Sequence, residues 1–133
     1  MILGTGIDLL DIRRLEKIME RYGARFKQRY FTEAEIKTAE SRQKAGTDLL
    51  AIAKRYAAKE ACAKALGTGI IDGIYMADIE VTNDALGKPS LTLYNGALAR
   101  LREMTPEGKQ ACIHLSLTDE PPYAQAQVII EAL

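Results

Sequence analysis

Arg55-Tyr56-Ala57-Ala58-Lys59-Glu60-Ala61-Cys62-Ala63-Lys64-Ala65-Leu66, closed by Gly67-Thr68-Gly69, is the stretch that decides how this chain is read. Its alanines favour helix, and Gly67 stands where a helix C-terminal glycine belongs. One carboxylate and several cations lie close together, a mixture that suits a metal ion and phosphates. A surface helix with an ordinary Glu60–Lys64 i,i+4 ion pair, worth about 0.2–0.5 kcal/mol, accounts for the same residues. The flanking sequence has to separate the two.

Upstream, the helix is expected from about residue 48, with Leu49, Ile52, Tyr56, Ala63 and Leu66 on its buried face. Lys44-Ala45-Gly46-Thr47-Asp48 reads as the turn before it. Thr32-Glu33-Ala34-Glu35 reads as a helix start, with Thr32 as N-cap and Glu35 as capping-box acid. Residues 11–27 read as one amphipathic helix, with Ile12, Leu15, Met19, Tyr22 and Phe26 on its apolar face. Arg14, Lys17, Arg21 and Arg25 recur at 3-4 spacing on another face. They are either a solvated surface or a docking stripe for an acidic partner. Residues 2–10 read as a strand interrupted by glycines. Asp8 lies inside its apolar run and needs a partner, because burying a bare charge is costly. A helix N-terminal acid and a metal ligand at a strand end both fit it.

Downstream of the glycines the pattern changes to strand. Ile79-Glu80-Val81-Thr82 and Ser90-Leu91-Thr92-Leu93-Tyr94 alternate around a turn that contains Gly87-Lys88-Pro89, which predicts a β-hairpin. Asn95 is the expected N-cap of a helix to about Met104. Residues 111–118 predict a strand with Ile113, Leu115 and Leu117 on one side and Cys112, His114, Ser116 and Thr118 on the other. His114 then reads as either a hydrogen-bonded structural imidazole or a site residue. A last strand runs from Tyr123 to Ile130. The fold class is α+β, with helices in the first half packed on a small antiparallel sheet drawn mostly from the second.

The 133 residues, 47% hydrophobic and 27% charged, indicate one domain over 1–133. A net charge of zero argues against generic nucleic-acid binding. No stretch approaches the ~18 apolar residues of a membrane helix, and no basic-then-apolar leader precedes the first strand. The cytoplasm is the expected location, with Cys62 and Cys112 as reduced thiols. One histidine rules out a histidine-rich metal site, and neither a Walker A motif nor GxGxxG occurs. Pattern alone therefore leaves two readings, metal-assisted phosphate chemistry and a basic-faced interaction domain. The first requires Asp8 to pack beside the long helix and meet Glu60.

Gly6-Ile7-Asp8, the quoted stretch from Arg55 to Ala65, Gly67-Thr68-Gly69, Gly87-Lys88-Pro89 and His114-Leu115-Ser116-Leu117-Thr118 together resemble the bacterial holo-acyl-carrier-protein synthases, the short class of 4′-phosphopantetheinyl transferases. The elements follow in the family's order along nearly the whole chain. The resemblance implies transfer of 4′-phosphopantetheine from coenzyme A to a serine of apo acyl carrier protein, in fatty acid biosynthesis, with adenosine 3′,5′-bisphosphate leaving. It implies Asp8 and Glu60 as ligands of Mg2+, with Mn2+ as a substitute, and Glu60 and Lys64 as the catalytic pair. Lys59, Lys64, Gly67, Thr68, Gly87, Lys88, Pro89, His114, Ser116 and Thr118 fall at coenzyme-A-binding positions. Arg14, Met19, Arg21, Arg25 and Phe26 fall where the family docks its carrier protein. A homotrimer with active sites between neighbours is also implied.

A carboxylate oxygen that ligates a metal tightly is not also a free base. Glu60 positioning a base water is therefore favoured over Glu60 taking the serine proton directly. Two departures stand out: Tyr56 where Phe or Trp is usual, and Asp119 where some members carry histidine. A carrier-binding module without catalysis is the alternative, against which the presence of both Asp8 and Glu60 argues.

Overall fold

The computed structural model describes residues 1–71 and 73–133. Strand β1 (Ile2–Asp11) is followed by α1 (Ile12–Tyr22), α2 (Ala24–Tyr30), α3 (Glu33–Ser41) and the long α4 (Asp48–Ala65). A 3₁₀ turn (Met76–Asp78) leads into β2 (Ile79–Asn83) and β3 (Pro89–Leu93). Then come α5 (Asn95–Met104), β4 (Ala111–Glu120) and β5 (Tyr123–Ala132). The fold is α+β, as expected.

The sheet differs from expectation in its parts. β1 is an edge strand of an antiparallel sheet ordered β1-β5-β4, and β2-β3 stand apart as a separate hairpin. Asp8 pairs with Ala126, which pairs with Leu117. Period-two alternation therefore puts Gly4, Gly6, Asp8 and Leu10 on the face that carries Ala124, Ala126, Val128 and Ile130. Those four β5 side chains are fully buried. The opposite face carries Ile7 and Leu9, 54% and 63% exposed, beside Gln125, Gln127, Ser116 and Thr118.

The packing of β1 on α4 is unusually close. A Cβ on Gly6 would lie 1.8 Å from the carbonyl oxygen of Ala61, and one on Gly4 would lie 2.0 Å from that of Ala65. The strand glycines and the helix alanines are thus two halves of one contact, which no larger residue at position 4 or 6 permits. α4 is buried on most sides, including Ala51, Ile52, Ala57, Ala58 and Ala61 at 2% exposure or less, and its C-cap Leu66 is buried as well. Burial holds the thiol of Cys62 up at about 12, which makes it an inert core residue.

Two helix expectations need correction. The single helix over 11–27 is two helices, because Gly23 takes φ +50° and closes α1 by donating to the Met19 carbonyl. The N-cap of α5 is Tyr94 rather than Asn95, which sits at φ +48° with its amide donating to Asp78 at 2.9 Å. The Thr32–Glu35 capping box forms as expected.

Candidate active site

The β1–α4 contact places Asp8 and Glu60 within electrostatic reach of each other. Lys64 donates from Nζ to Asp8 Oδ1 at 3.1 Å and to the Ile7 carbonyl at 2.9 Å. Its ion-pair partner is therefore on the strand, and not Glu60 one helical turn away. Half-buried Glu60 is held above the usual carboxylate range, first by burial and then by the negative charge of Asp8. Lys64 and the Tyr56 hydroxyl pull in the opposite direction. Burial and the charge of Glu60 push the Tyr56 phenol up to about 12.

A half-buried carboxylate whose ionisation is opposed by a neighbouring one defines a place where a cation relieves tension. Among the described residues no third His, Cys, Asp or Glu joins them. The donor set fits a hard, oxygen-seeking ion such as Mg2+, which takes one or two carboxylates and fills its remaining positions with phosphate oxygens and water.

The other half of α4 gathers positive charge. Arg55 is 4% exposed. It donates from Nη1 to the Ala51 carbonyl at 3.2 Å and from Nη2 to Asn83 Oδ1 at 3.1 Å. Its buried Nε has no partner. Burial and the neighbouring Arg42 charge both push the Arg55 pKa down. With Lys54, Lys88, Pro89 and Ser116, these two arginines line a cleft of about 410 Å³. Lys54 pairs with Asp119 at 2.6 Å, which gives that residue a role as the cleft's counter-charge.

The hairpin turn that carries Lys88 is firmly built. Asp84 Oδ1 accepts from the N–H groups of Leu86 and Lys88, Asn83 Nδ2 donates to the Gly87 carbonyl, and Gly87 takes φ +85°. A second cleft of about 500 Å³ shares Lys88, Pro89, Leu115 and Ser116 with the first and extends to His114. The His114 imidazole Nε2 meets Glu131 at 2.6 Å. Thr118 lies on the same strand face but lines neither cleft. Guanidinium and ammonium groups at this density suit phosphate oxygens. Sequence reasoning missed Arg42, Lys54 and Arg55. Lys54 and Arg55 were signalled only as a cationic pair on the long helix, and Arg42, at the end of α3, not at all; the three have meaning only once the hairpin and β4 close over them.

The structure separates other expected residues from the site. Lys59, expected among the coenzyme A contacts, is fully buried and spends its three donors on Glu35, the Met76 carbonyl and the Ile79 carbonyl. The N–H groups of Gly67 and Gly69 donate to the Lys64 and Ala63 carbonyls, so this turn caps α4. The Thr68 hydroxyl donates to the Gly69 carbonyl at 2.9 Å.

In the docking set, Arg14, Arg21 and Arg25 are exposed, while Phe26 is largely buried yet lines the same groove as Arg25. At 6% exposure it packs on Tyr30, Phe31 and Tyr56 at centroid distances of 4.9, 5.8 and 6.0 Å. Met19 turns about 140° round α1 from Arg14 and faces the cleft with Ile36. Ile18, which lines the aromatic groove with Tyr22, Arg25 and Tyr56, is the apolar neighbour on the arginine side.

Arg55 and Lys64 lie nine residues apart on α4, about 13 Å along the axis and about 180° around it. One chain therefore presents the carboxylate pair and the cationic cleft in opposite directions.

A family model described as the 4′-phosphopantetheinyl transferase superfamily matches residues 4–125. The chain is 53% identical over 133 residues to a holo-[acyl-carrier-protein] synthase of Brucella ovis, covering 100% of this chain and 97% of that one. Its fold resembles the crystal structure of the corresponding synthase from Neisseria meningitidis, with a TM-score of 0.84 at 34% identity, over 98% of this chain and 99% of the other. It also resembles that of Bacillus anthracis in complex with CoA (3′,5′-ADP), with a TM-score of 0.80 at 35% identity, over 100% and 99%.

Proposed function

The chain belongs to the 4′-phosphopantetheinyl transferase superfamily, among the holo-[acyl-carrier-protein] synthases, and from that premise we propose which of its residues carry the transfer of 4′-phosphopantetheine from coenzyme A to acyl carrier protein. The carrier's serine oxygen attacks the phosphorus that bears the pantetheine arm. The phosphoanhydride P–O bond breaks, and adenosine 3′,5′-bisphosphate leaves with the bond's electron pair.

Asp8 and Glu60 would hold Mg2+, or Mn2+ in its place. The ion supplies charge neutralisation at the pyrophosphate. Lys64, anchored on Asp8, presents its ammonium to the same phosphate oxygens. Glu60 holds the water that takes the serine proton. Arg42, Lys54, Arg55 and Lys88 receive the bisphosphate end of the donor, with Pro89, His114 and Ser116 beside it. The exposed arginines Arg14, Arg21 and Arg25 guide an acidic carrier protein, and Ile18 adds an apolar contact.

The observation that carries this reading is the Asp8–Glu60 pair, set across a glycine–alanine contact that leaves little room for it to relax. A donor that spans the carboxylate pair and a cationic cleft needs both on one side. That requirement favours a homotrimer in which one subunit's cleft faces its neighbour's carboxylates. The bare sheet face with Ile7 and Leu9 supports such an assembly. Among the described residues no helix is long and apolar enough to cross a membrane. We read the chain as a single cytoplasmic domain acting in fatty acid biosynthesis.

Incubating the purified chain with coenzyme A, Mg2+ and apo carrier protein tests the reading. The expected result is a phosphopantetheine mass increase on the carrier serine. Binding of the carrier without that increase would establish the non-catalytic module instead. Light scattering at the mass of a single chain would remove the shared site.

A further inference from the structure

The ion pair between Lys59 and Glu35 is used by none of these steps. Both side chains are fully buried and lie 2.7 Å apart. The Lys59 ammonium has three protons and three acceptors: Glu35 Oε1, the Met76 carbonyl at 2.9 Å and the Ile79 carbonyl at 2.5 Å. Glu35 Oε1 also accepts from the Thr32 N–H at 3.0 Å, and Oε2 accepts from the Val81 N–H at 3.1 Å. The start of α3, the middle of α4, the 3₁₀ turn and β2 meet at this one point.

Stability does not account for the pair. Desolvating two ions offsets most of their attraction, and an uncharged pair of similar volume is often as stable. Its position accounts for it better. β2 runs from this anchor to Asn83, whose amide takes Arg55 Nη2 and reaches the Gly87 carbonyl. From there the Asp84 turn presents Lys88. A slip of the hairpin against α4 would therefore move Lys88 away from Arg55 and open the cationic cleft.

We propose that the buried Lys59–Glu35 pair is a positioning device that fixes the β2–β3 hairpin against α4 and thereby sets the affinity of the cationic cleft for the bisphosphate end of coenzyme A. The pair acts through Arg55 and Lys88 and touches no substrate itself. The proposal rests on reading that cleft as the donor site.

The double variant Lys59→Met with Glu35→Gln removes both charges and keeps an acceptor for the Val81 N–H. In it, the KM for coenzyme A and the Kd for adenosine 3′,5′-bisphosphate rise about fivefold or more, while kcat and the carrier KM stay within about twofold. A pair that merely stabilised the fold would lower kcat with the folded fraction and leave both donor constants alone. Donor constants within about twofold of the parent in the folded variant overturn the proposal. Lys59→Met alone, which leaves the capping box intact, is the second variant.

The parent chain gives a test independent of folding. Bound bisphosphate slows hydrogen exchange at the amides of both Lys88 and Val81. Slowing at Lys88 without slowing at Val81 overturns the proposal. Lys88→Ala separates the two failures. If it leaves the coenzyme A KM unchanged, the cleft is not the donor site and the positioning proposal falls with it.

Discussion

At the C-terminal half of α4, Asp8 and Glu60 face each other with Lys64 alongside. At its N-terminal half, Arg42, Lys54, Arg55 and Lys88 surround a cleft with Asp119 as counter-charge. Both regions crowd like charge at a partly dry surface, and each leaves something unsatisfied. At one end it is the raised pKa of Glu60, and at the other it is the partnerless Nε of Arg55. They are built differently. The carboxylates ride on a backbone contact between glycines and alanines, while the cations depend on a hairpin held by side chains. The contrast matches the proposed division of labour, in which the rigid first end would hold a small ion and the second would grip a larger anion.

The largest expected effect tests that division directly. Glu60→Gln keeps the shape and removes the charge of a proposed cation ligand, and kcat/KM should fall about 10³-fold or more, the several kcal/mol that such an ion would supply to the transition state. Arg55→Met removes a buried cation from the other end. It should raise the coenzyme A KM about tenfold or more, the scale of one lost charged hydrogen bond, with a smaller change in kcat. Steady-state transfer with each substrate varied reads both. Identical patterns of kcat and KM in the two variants would contradict that division, because one helix would then carry one function.

Much of this was legible in the sequence. Alternation and 3-4 periodicity placed the strands and the long helix, and Thr32–Glu35 announced its capping box. Asp8 and Glu60 stood out as acids in apolar or alanine-rich surroundings. What stayed hidden depends on distant partners. Lys59 is adjacent to Glu60, and only the location of Glu35, Met76 and Ile79 shows that it points into the core. Arg55 looks like any helix arginine until the hairpin closes on it. The break between α1 and α2 also stayed hidden, because periodicity assumes one continuous helix, while Met19 and Phe26 keep the core-side positions that it gave them.

A smaller effect tests the surface beside the carboxylate end. Arg14→Ala with Arg21→Ala should raise the carrier KM about three- to tenfold at low salt, leave the coenzyme A KM alone and flatten the salt dependence of the parent. Met19→Ala should change the carrier KM less than about twofold, because that side chain faces α3 rather than the arginine side. An effect of Met19→Ala as large as that of the arginines would place the docking surface on the other side of α1.

The smallest effect follows from the raised pKa of Glu60, and its sign runs against the usual carboxylate case. The folded chain holds the Glu60 proton to a higher pH than the ordinary 4.5. Across the window above that value the folded state therefore binds more protons than the unfolded one. The stability this supplies is fully present below 4.5 and is lost as pH rises through the raised value. A divalent cation held there, as proposed, would reverse the sign, since it would compete with the proton.

Because Glu60 is half-exposed, solvent screening keeps the shift in Tm to about a degree or two. Other carboxylates add their own slopes, so the informative quantity is the parent minus Glu60→Gln. In EDTA that difference should become less favourable to the parent as pH rises above 4.5, and in Mg2+ it should become more favourable. A parent that gains on the variant with rising pH in EDTA would mean that Asp8 and burial do not oppose the Glu60 charge. The carboxylate end would then lack the tension that distinguishes it as a cation site.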